Sequence, residues 1–245
     1  MTTTEDMRVV STSSTTRGTS STSRDAYDDL SRLMGLMTGD EKHDAAATST
    51  LDVLWVLYDR VLDLAPDRMG DATRDRFYLS KGHGPMAYYA ILAAKGFFPE
   101  EWLSSWAAYD SPLGHHPDRM LVPGVEISSG SLGHGLPMAV GTAIGLRAQG
   151  IGARVVVLVG DAELDEGSNA EAIAVAGALG LDRLTVVVVD NQSTSYHRPG
   201  MIAPRFAHEG WDARVVDGRD HDALEQALTR PARRPVVVVA EVEAK

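Results

Sequence analysis

The sequence predicts an α/β fold in which helices cover both faces of a parallel sheet. Residues 154–159, after the initial Arg154, and residues 184–189 are mainly apolar and rich in β-branched side chains, which is typical of strands buried on both faces. The stretch between them, residues 166–179, has helical character. A strand, a helix and a second strand within this length indicate a right-handed crossover, so the two strands should be parallel.

The elements upstream of this unit are mainly helical. A first helix is expected to begin near Tyr27, because apolar residues then recur at helical spacing, namely Leu30, Leu33, Met34 and Met37. A second helix is expected at residues 49–64, with Ser49 as its N-cap and Asp52 at its third position. Residues 75–84 indicate a short strand and a glycine-flanked turn, followed by a helix at 85–94.

The downstream elements complete the sheet. A helix with a stripe of small residues is expected at 136–149, and it could lie at a subunit interface. A loop is expected at residues 192–204. Two further strands are expected at 211–216 and 235–240, on either side of a helix at 222–228.

Composition excludes several classes of protein and site. The 245 residues carry a net charge of −11, which argues against nucleic acid as a partner. The absence of cysteine excludes disulfides, thiolate zinc sites and cysteine nucleophiles. No apolar stretch is long enough to span a membrane. Residues 1–24 are rich in Ser and Thr and are expected to be a disordered tail, with one domain at residues 25–245 and a cytoplasmic location.

Polar side chains follow the two central strands at the point where each strand ends. Asp161 follows the first strand and Asn191 follows the second, so both should emerge at the carboxyl edge of the sheet, where ligands bind in open α/β folds. With the Ser193 carbonyl they offer three hard oxygens, which suit Mg²⁺ or Ca²⁺ better than zinc. Because Mg²⁺ commonly completes its shell with phosphate oxygens, a diphosphate ligand is implied.

These motifs resemble the transketolase family. The GDA motif at 160–162, with Asn191 further on, resembles the Gly-Asp-Gly and Asn-Asn signature of thiamine diphosphate (ThDP) enzymes, with Ala162 and Asp190 as departures. Residues 75–84 (DRFYLSKGHG) resemble the more specific Asp-Arg-Phe-x-Leu-Ser-x-Gly-His block of transketolases. The resemblance covers residues 27–245 and implies the parallel-sheet ThDP-binding fold.

Two further blocks follow in the family's order. Residues 114–118 (GHHPD) match with His116, and residues 123–135 (PGVEISSGSLGHG) match except that His134 replaces a glutamine. Glu166 matches the glutamate that follows the Gly-Asp-Gly signature. His43 falls at a further family histidine, although its neighbours Lys42 and Asp44 depart from the pattern.

The resemblance implies a role for each matched residue. Asp161, Asn191 and the Ser193 carbonyl would hold the metal ion. His43, His83 and His116 would be catalytic. The cofactor would be contacted by His83, Gly130, Leu132, Gly160, Ala162, Glu166, Asn191 and Ser195. No role is expected for His115 or His197, and Glu163 and Asp165 are interpreted as solvated charges at a helix start.

The resemblance further implies a ThDP- and Mg²⁺-dependent transferase that moves a two-carbon ketol unit from a ketose to an aldehyde. Its substrates would be sugars or sugar phosphates. The family's second ThDP-type domain and C-terminal domain are missing, so the chain is either a fragment or the N-terminal subunit of a split transketolase. In the second case it would be active only with a separate C-terminal subunit, in an α₂β₂ assembly. There are two alternatives. One is a non-catalytic paralogue that binds a partner, and the other is a subunit of a different ThDP-dependent lyase, oxidase or decarboxylase.

Overall fold

The computed structural model describes residues 20–38, 44–195 and 198–244. Its strands are β1 (Arg76–Leu79), β2 (Val155–Gly160), β3 (Leu184–Asp190), β4 (Asp212–Asp217) and β5 (Val236–Glu241). All neighbours pair in parallel, and the strand order is β1-β2-β3-β5-β4. The carboxyl ends of β1, β2 and β3 therefore lie side by side at one edge of the sheet. The motif residues that directly follow these strands thus lie at this edge.

Helices connect these strands. They are α1 (Ser20–Gly35), α2 (Asp44–Val56), α3 (Met86–Ala94), α4 (Gly135–Ala148), α5 (Gly167–Leu179), α6 (Ile202–His208) and α7 (His221–Thr229). A π-helical turn at Leu57–Val61 prolongs α2, and short 3₁₀ turns occur at Pro66–Arg68, Glu100–Ser105 and Ala162–Asp165. Among the described residues, none of the helices combines the length and apolar character needed to cross a membrane.

The sheet is buried on both faces, as the sequence predicts. In β2, Val156 and Leu158 pack into a core that includes side chains of α1, α2, α3 and α7. Val155, Val157 and Val159 point the other way, into a core built with α4, α5 and α6. Every residue of β2 is buried. The alternation of side chains along a strand explains why both faces of this β-branched run must be apolar.

Three boundaries differ from the sequence-based expectation. Helix α1 begins at Ser20, within the last residues of the expected tail, while residues 1–19 lie outside the described part. Helix α2 begins at Asp44, because the alanine-rich sequence that follows favours helix, so Ser49 is not its N-cap. Helix α6 occupies part of the expected loop, with Pro204 in its first turn, where a missing N–H costs little.

The second helix boundary matters because Ser49 and Asp52 are buried rather than exposed at a helix start. The Asp52 carboxylate accepts hydrogen bonds from the Tyr27 hydroxyl of α1 and from Arg219 Nη1 at 2.6 Å, and it lies 2.7 Å from His221 Nε2 of α7. Asp52 therefore joins α1, α2 and α7 instead of compensating a helix dipole.

Candidate functional site

Asp161 and the loop after β3 form the centre of the site. Asp161 follows β2 and is buried. Its Oδ2 atom accepts hydrogen bonds from the backbone N of Ser193 at 2.6 Å and of Thr194 at 3.2 Å. Its Oδ1 atom accepts from Ser193 Oγ at 2.7 Å. One carboxylate thus organises the loop through the N–H groups and the Ser193 hydroxyl, whereas the role of the Ser193 carbonyl as a metal ligand stays a prediction.

The loop reaches Asp161 through a turn at Gln192. This residue adopts φ +57°, in the left-handed region that non-glycine residues rarely occupy. Such a conformation costs on the order of 1–3 kcal/mol and tends to occur at functional sites. It turns the chain directly after Asn191, so that the backbone N–H groups of Ser193 and Thr194 face the Asp161 carboxylate.

Asn191 supplies a buried oxygen that no described residue satisfies. The side chain is 2 % exposed, and its Oδ1 atom has no hydrogen-bond partner within the described residues. A buried unpaired acceptor costs about 1–3 kcal/mol, so its presence points to a ligand. The Asp161 carboxylate and the Asn191 amide oxygen are both hard oxygen donors, and this chemistry fits Mg²⁺. Because the described chain contains no cluster of three or more His, Cys, Asp or Glu suited to a metal ion, a cation here would depend on amide and carbonyl oxygens as well.

The rings of His83 and His116 contact each other. The ring centroids are 5.0 Å apart, with an interplanar angle of 89°. His83 lies in the turn after β1, whereas His116 lies in the loop between the 3₁₀ turn Glu100–Ser105 and α4. The structure therefore brings together the two histidines that the sequence assigns to one site. His43 lies outside the described residues, as does His197.

Glycines allow the two histidine-bearing loops to approach each other. A Cβ atom on Gly82 would lie 2.5 Å from the backbone N of Gly130. Gly130 itself has φ +120°, and a Cβ atom there would lie 2.5 Å from His116 Cδ2. No real Cβ atom tolerates such distances, so these positions require glycine. Leu132, two residues further on, is half-buried, and its backbone lies in the same loop.

Ala162 does not strain the site, although it replaces the family's glycine. It begins the 3₁₀ turn Ala162–Asp165, and among the described non-glycine residues positive φ occurs only at Ala107 and Gln192. The methyl group thus imposes no conformational penalty. The preceding Gly160 lies against Lys81, since a Cβ atom on it would be 3.1 Å from Lys81 Cδ.

Glu163 is buried, contrary to the expectation of a solvated helix-start charge. It is 1 % exposed, and its Oε1 atom accepts hydrogen bonds from Ser80 Oγ and from the backbone N of Gly133 at 2.9 Å. Burial raises the pKa of the Glu163 carboxyl, and hydrogen bonds from Ser80, Gly133 and Gly160 offset part of this rise. The expectation is wrong because the 3₁₀ turn directs the Glu163 side chain into the protein, towards the backbone N of Gly160 at the end of β2.

The sequence interpretation also missed Lys81, which is 8 % exposed and lies two residues after β1. Its position inside the DRFYLSKGHG block is the signal that could have identified it, because a lysine beside a glycine turn at a carboxyl edge suits an anionic ligand. Asp165, by contrast, is exposed as expected, and it accepts a hydrogen bond from Thr194 Oγ1 at 2.5 Å.

The remaining predicted residues lie at the margin of the site. Glu166 is exposed and precedes α5, where its Cβ atom would lie 2.6 Å from a Cβ atom on Gly133. His134 is exposed at the start of α4. Ser195 is exposed at the end of the described part of its loop. The structure describes no hydrogen bond that would fix a role for these three side chains.

Comparison with known proteins agrees with this geometry. The family model described as "Transketolase, thiamine diphosphate binding domain" matches residues 36–240. The protein named Ferredoxin fas2 of Rhodococcoides fascians is 55% identical over 219 residues, which are 89% of this chain and 72% of that protein. One subunit of an apulose-4-phosphate transketolase from Actinobacillus succinogenes is 44% identical, over 81% of this chain and 75% of that protein. 6-Deoxy-6-sulfo-D-fructose transketolase subunit SqwG of a Clostridium species is 31% identical, over 83% of this chain and 78% of that protein.

Solved structures show the same fold. Transketolase from Leishmania mexicana superposes with a TM-score of 0.72 at 25% identity, over 88% of this chain and 36% of that chain. A transketolase variant from Pichia stipitis superposes with a TM-score of 0.77 at 24% identity, over 91% of this chain and 36% of that chain. This chain thus spans about a third of the length of these solved transketolases.

Proposed function

Because this chain belongs to the transketolase family, with the fold of its thiamine diphosphate-binding domain, we propose that it is the cofactor-binding subunit of a split transketolase. It would transfer a two-carbon ketol unit from a ketose to an aldehyde acceptor, together with a separate C-terminal subunit. The observation that carries the proposal is the buried Oδ1 atom of Asn191, which has no hydrogen-bond partner among the described residues. Asn191 and Asp161 follow neighbouring parallel strands, and their oxygens fit a metal-bound diphosphate.

The residues of this chain would have distinct roles in binding the metal ion and the cofactor. Asp161, Asn191 and the Ser193 carbonyl would hold Mg²⁺ and, through it, the diphosphate. His83 and the backbone around Gly130, Leu132, Gly160 and Ala162 would orient the cofactor, with Glu166 and Ser195 at its margin. Bound ThDP would supply a nucleophilic carbon for cleavage of the bond next to the ketose carbonyl.

The histidines would act on the substrate's oxygens. The rings of His83 and His116 converge from two loops, so both could donate hydrogen bonds or protons to a carbonyl oxygen on which negative charge develops. His43 is proposed as a third such donor from the sequence alone. Sugars or sugar phosphates are the proposed substrates, and a cytoplasmic location remains a prediction of the sequence.

The proposal of a separate partner is supported by the relatives of similar length. Two relatives named as transketolase subunits align over 75% and 78% of their own length, whereas full-length transketolases align over about a third. An α₂β₂ assembly is the proposed stoichiometry. Retention of Asp161, Asn191, His83 and His116 argues against the non-catalytic paralogue.

A second candidate activity has one observation in its favour. The relative at 55% identity is named a ferredoxin, which suggests a ThDP-dependent oxidase or decarboxylase subunit that delivers electrons to a redox protein. Since the 245 residues contain no cysteine, a cysteine-ligated iron–sulfur cluster would have to lie on another polypeptide or segment.

One reconstitution separates these activities. The purified chain is mixed with its candidate C-terminal subunit, ThDP and Mg²⁺, and assayed both for ketol transfer to an aldehyde and for ferricyanide reduction with 2-oxo acids. We expect ketol transfer only in the mixture. Asp161→Ala should abolish it, whereas Asp182→Ala, at an exposed carboxylate before β3, should not. Normal turnover by the chain alone would contradict the split arrangement, and ferricyanide reduction without ketol transfer would favour the second candidate.

A further inference from the structure

Glu163 connects three separate segments of the site through one buried carboxylate. Its Oε1 atom accepts hydrogen bonds from Ser80 Oγ, after β1, and from the backbone N of Gly133, before α4. Its Oε2 atom lies 3.4 Å from the backbone N of Gly160, which donates to it from the end of β2. The residue is 1 % exposed, so water does not compete for these hydrogen bonds.

The hydrogen bonds run in one consistent direction towards Glu163. The backbone N of Gly135 donates to Ser80 Oγ at 3.0 Å, and this hydroxyl donates onward to Glu163. The side-chain amide of Asn169 donates to the backbone carbonyl of Glu163 at 2.6 Å, which fixes the residue from α5. Each of the three groups bonded to the carboxylate is thus a donor, and a carboxylate is the side chain that accepts several hydrogen bonds without donating any.

The contacts of Ser80 show why the serine hydroxyl matters. A Cβ atom on Gly135 would lie 2.3 Å from Ser80 Oγ, so the serine is packed directly against the start of α4. Ser80 precedes the turn that carries His83, and Gly133 ends the loop that begins at Gly130. Glu163 and Ser80 together therefore hold three segments in place relative to one another. These are the His83 turn, the backbone of residues 130–135 and the end of β2.

We propose that Glu163 is a positioning residue that holds the His83 turn and the loop of residues 130–135 in register with Asp161, through Ser80 and the Gly133 amide. It does not touch substrate. It acts by keeping the backbone that faces the cofactor in place before the cofactor binds. The expected effect of Glu163 on ThDP binding rests on the proposed function, whereas its hydrogen bonds to the two loops are present without any ligand.

The first test is amide hydrogen exchange of the full-length chain without cofactor. Glu163→Gln keeps the shape of the side chain but presents an NH₂ group to neighbouring donors, and Ser80→Ala removes the bridging hydroxyl. Both variants should accelerate exchange at Gly133 and Gly135, while exchange at residues 155–159 of β2 and in β3 stays as in the wild type. Glu101→Gln, at an exposed carboxylate on the 3₁₀ turn Glu100–Ser105, is the matched control and should change neither.

The second test is calorimetry of ThDP binding in Mg²⁺. Glu163→Gln should raise the Kd about tenfold, which corresponds to the loss of about one hydrogen bond to a charged group. The reconstituted variant should show a raised KM for ThDP, with kcat recovering as ThDP saturates. The double variant Glu163→Gln/Ser80→Ala should lose less ThDP affinity than the sum of the losses in the two single variants, because both residues act through one hydrogen-bond chain.

The outcomes are distinguishable. Unchanged exchange at Gly133 and Gly135 in both variants overturns the inference, and so does accelerated exchange throughout the sheet, which would indicate a general structural role. A wild-type chain that binds no ThDP would contradict the proposed function, while the exchange result would still decide whether Glu163 holds the two loops. Wild-type Kd and KM in Glu163→Gln would overturn the positioning role and leave the proposed function intact.

Discussion

The imidazole rings of His83 and His116 lie edge to face, with centroids 5.0 Å apart. Each ring comes from a different loop. The two loops approach so closely at Gly82 and Gly130 that neither position has room for a Cβ atom. The pair therefore depends on the packing of two backbone segments rather than on a single motif.

His83→Ala and His116→Ala should each lower the rate of ketol transfer by about 10²–10⁴-fold, the range expected for loss of a general acid or base. The melting temperature should stay within a few degrees, because neither residue lies on an apolar helix face. His115→Ala is the matched control, since its ring contacts Trp106 instead, at a centroid distance of 5.3 Å. Rates near wild type in both test variants would refute the catalytic role.

Gly82→Ala should disturb the site although alanine is only one methyl group larger. The new Cβ atom would lie 2.5 Å from the backbone N of Gly130, so one of the two loops must move. We expect a loss of about 1–3 kcal/mol in the free energy of unfolding and weaker ThDP binding, measured by urea denaturation and calorimetry. At Gly70 a Cβ atom would meet open space, so Gly70→Ala should leave both quantities unchanged. Identical behaviour of the two variants would show that the close approach is not required.

Asn191→Ala should separate ligand binding from folding. Because the Oδ1 atom has no hydrogen-bond partner within the described residues, its removal should leave the melting temperature of the ligand-free chain within a few degrees of wild type. ThDP with Mg²⁺ should raise the melting temperature of the wild type by mass action but not that of the variant. EDTA should abolish the wild-type shift. A shift that survives EDTA would be evidence against the metal ion.

Asp52→Asn should destabilise the protein in a pH-dependent way. Burial alone would raise the pKa of Asp52, but hydrogen bonds from Tyr27, His221 and Arg219 outweigh it and hold the pKa below the ordinary value of 3.8. The ionised carboxylate therefore contributes stability above pH 3.8, and this contribution is lost as the pH falls through the lowered pKa.

At pH 7 the Asp52→Asn variant should lose about 1–3 kcal/mol in the free energy of unfolding, because it leaves the half-buried partner groups of the carboxylate without a charged acceptor. The difference from wild type should shrink as the pH is lowered below 3.8. Asp67→Asn, at an exposed carboxylate, is the control. A difference that stays constant as the pH falls well below 3.8 would contradict the assignment.

The sequence by itself determined the parallel sheet, because β-branched runs such as residues 155–159 are stable only where both faces of a strand are covered. It also placed Asp161 and Asn191 at one edge, since parallel strands end together. Its motifs singled out His83 and His116, whose rings the structure places 5.0 Å apart, while their catalytic role stays a prediction.

Only the tertiary structure decided the environment of the charged residues. The sequence pattern places both residues at helix starts, Glu163 as a solvated charge and Asp52 where it favours the helix dipole. Each is instead buried and accepts hydrogen bonds from segments distant in the sequence. Local sequence cannot reveal this, because burying a carboxylate is tolerable only when donors converge on it. Those donors, Ser80 and Gly133 for one residue and Tyr27 and Arg219 for the other, are brought together only by the packing of the whole sheet and its helices.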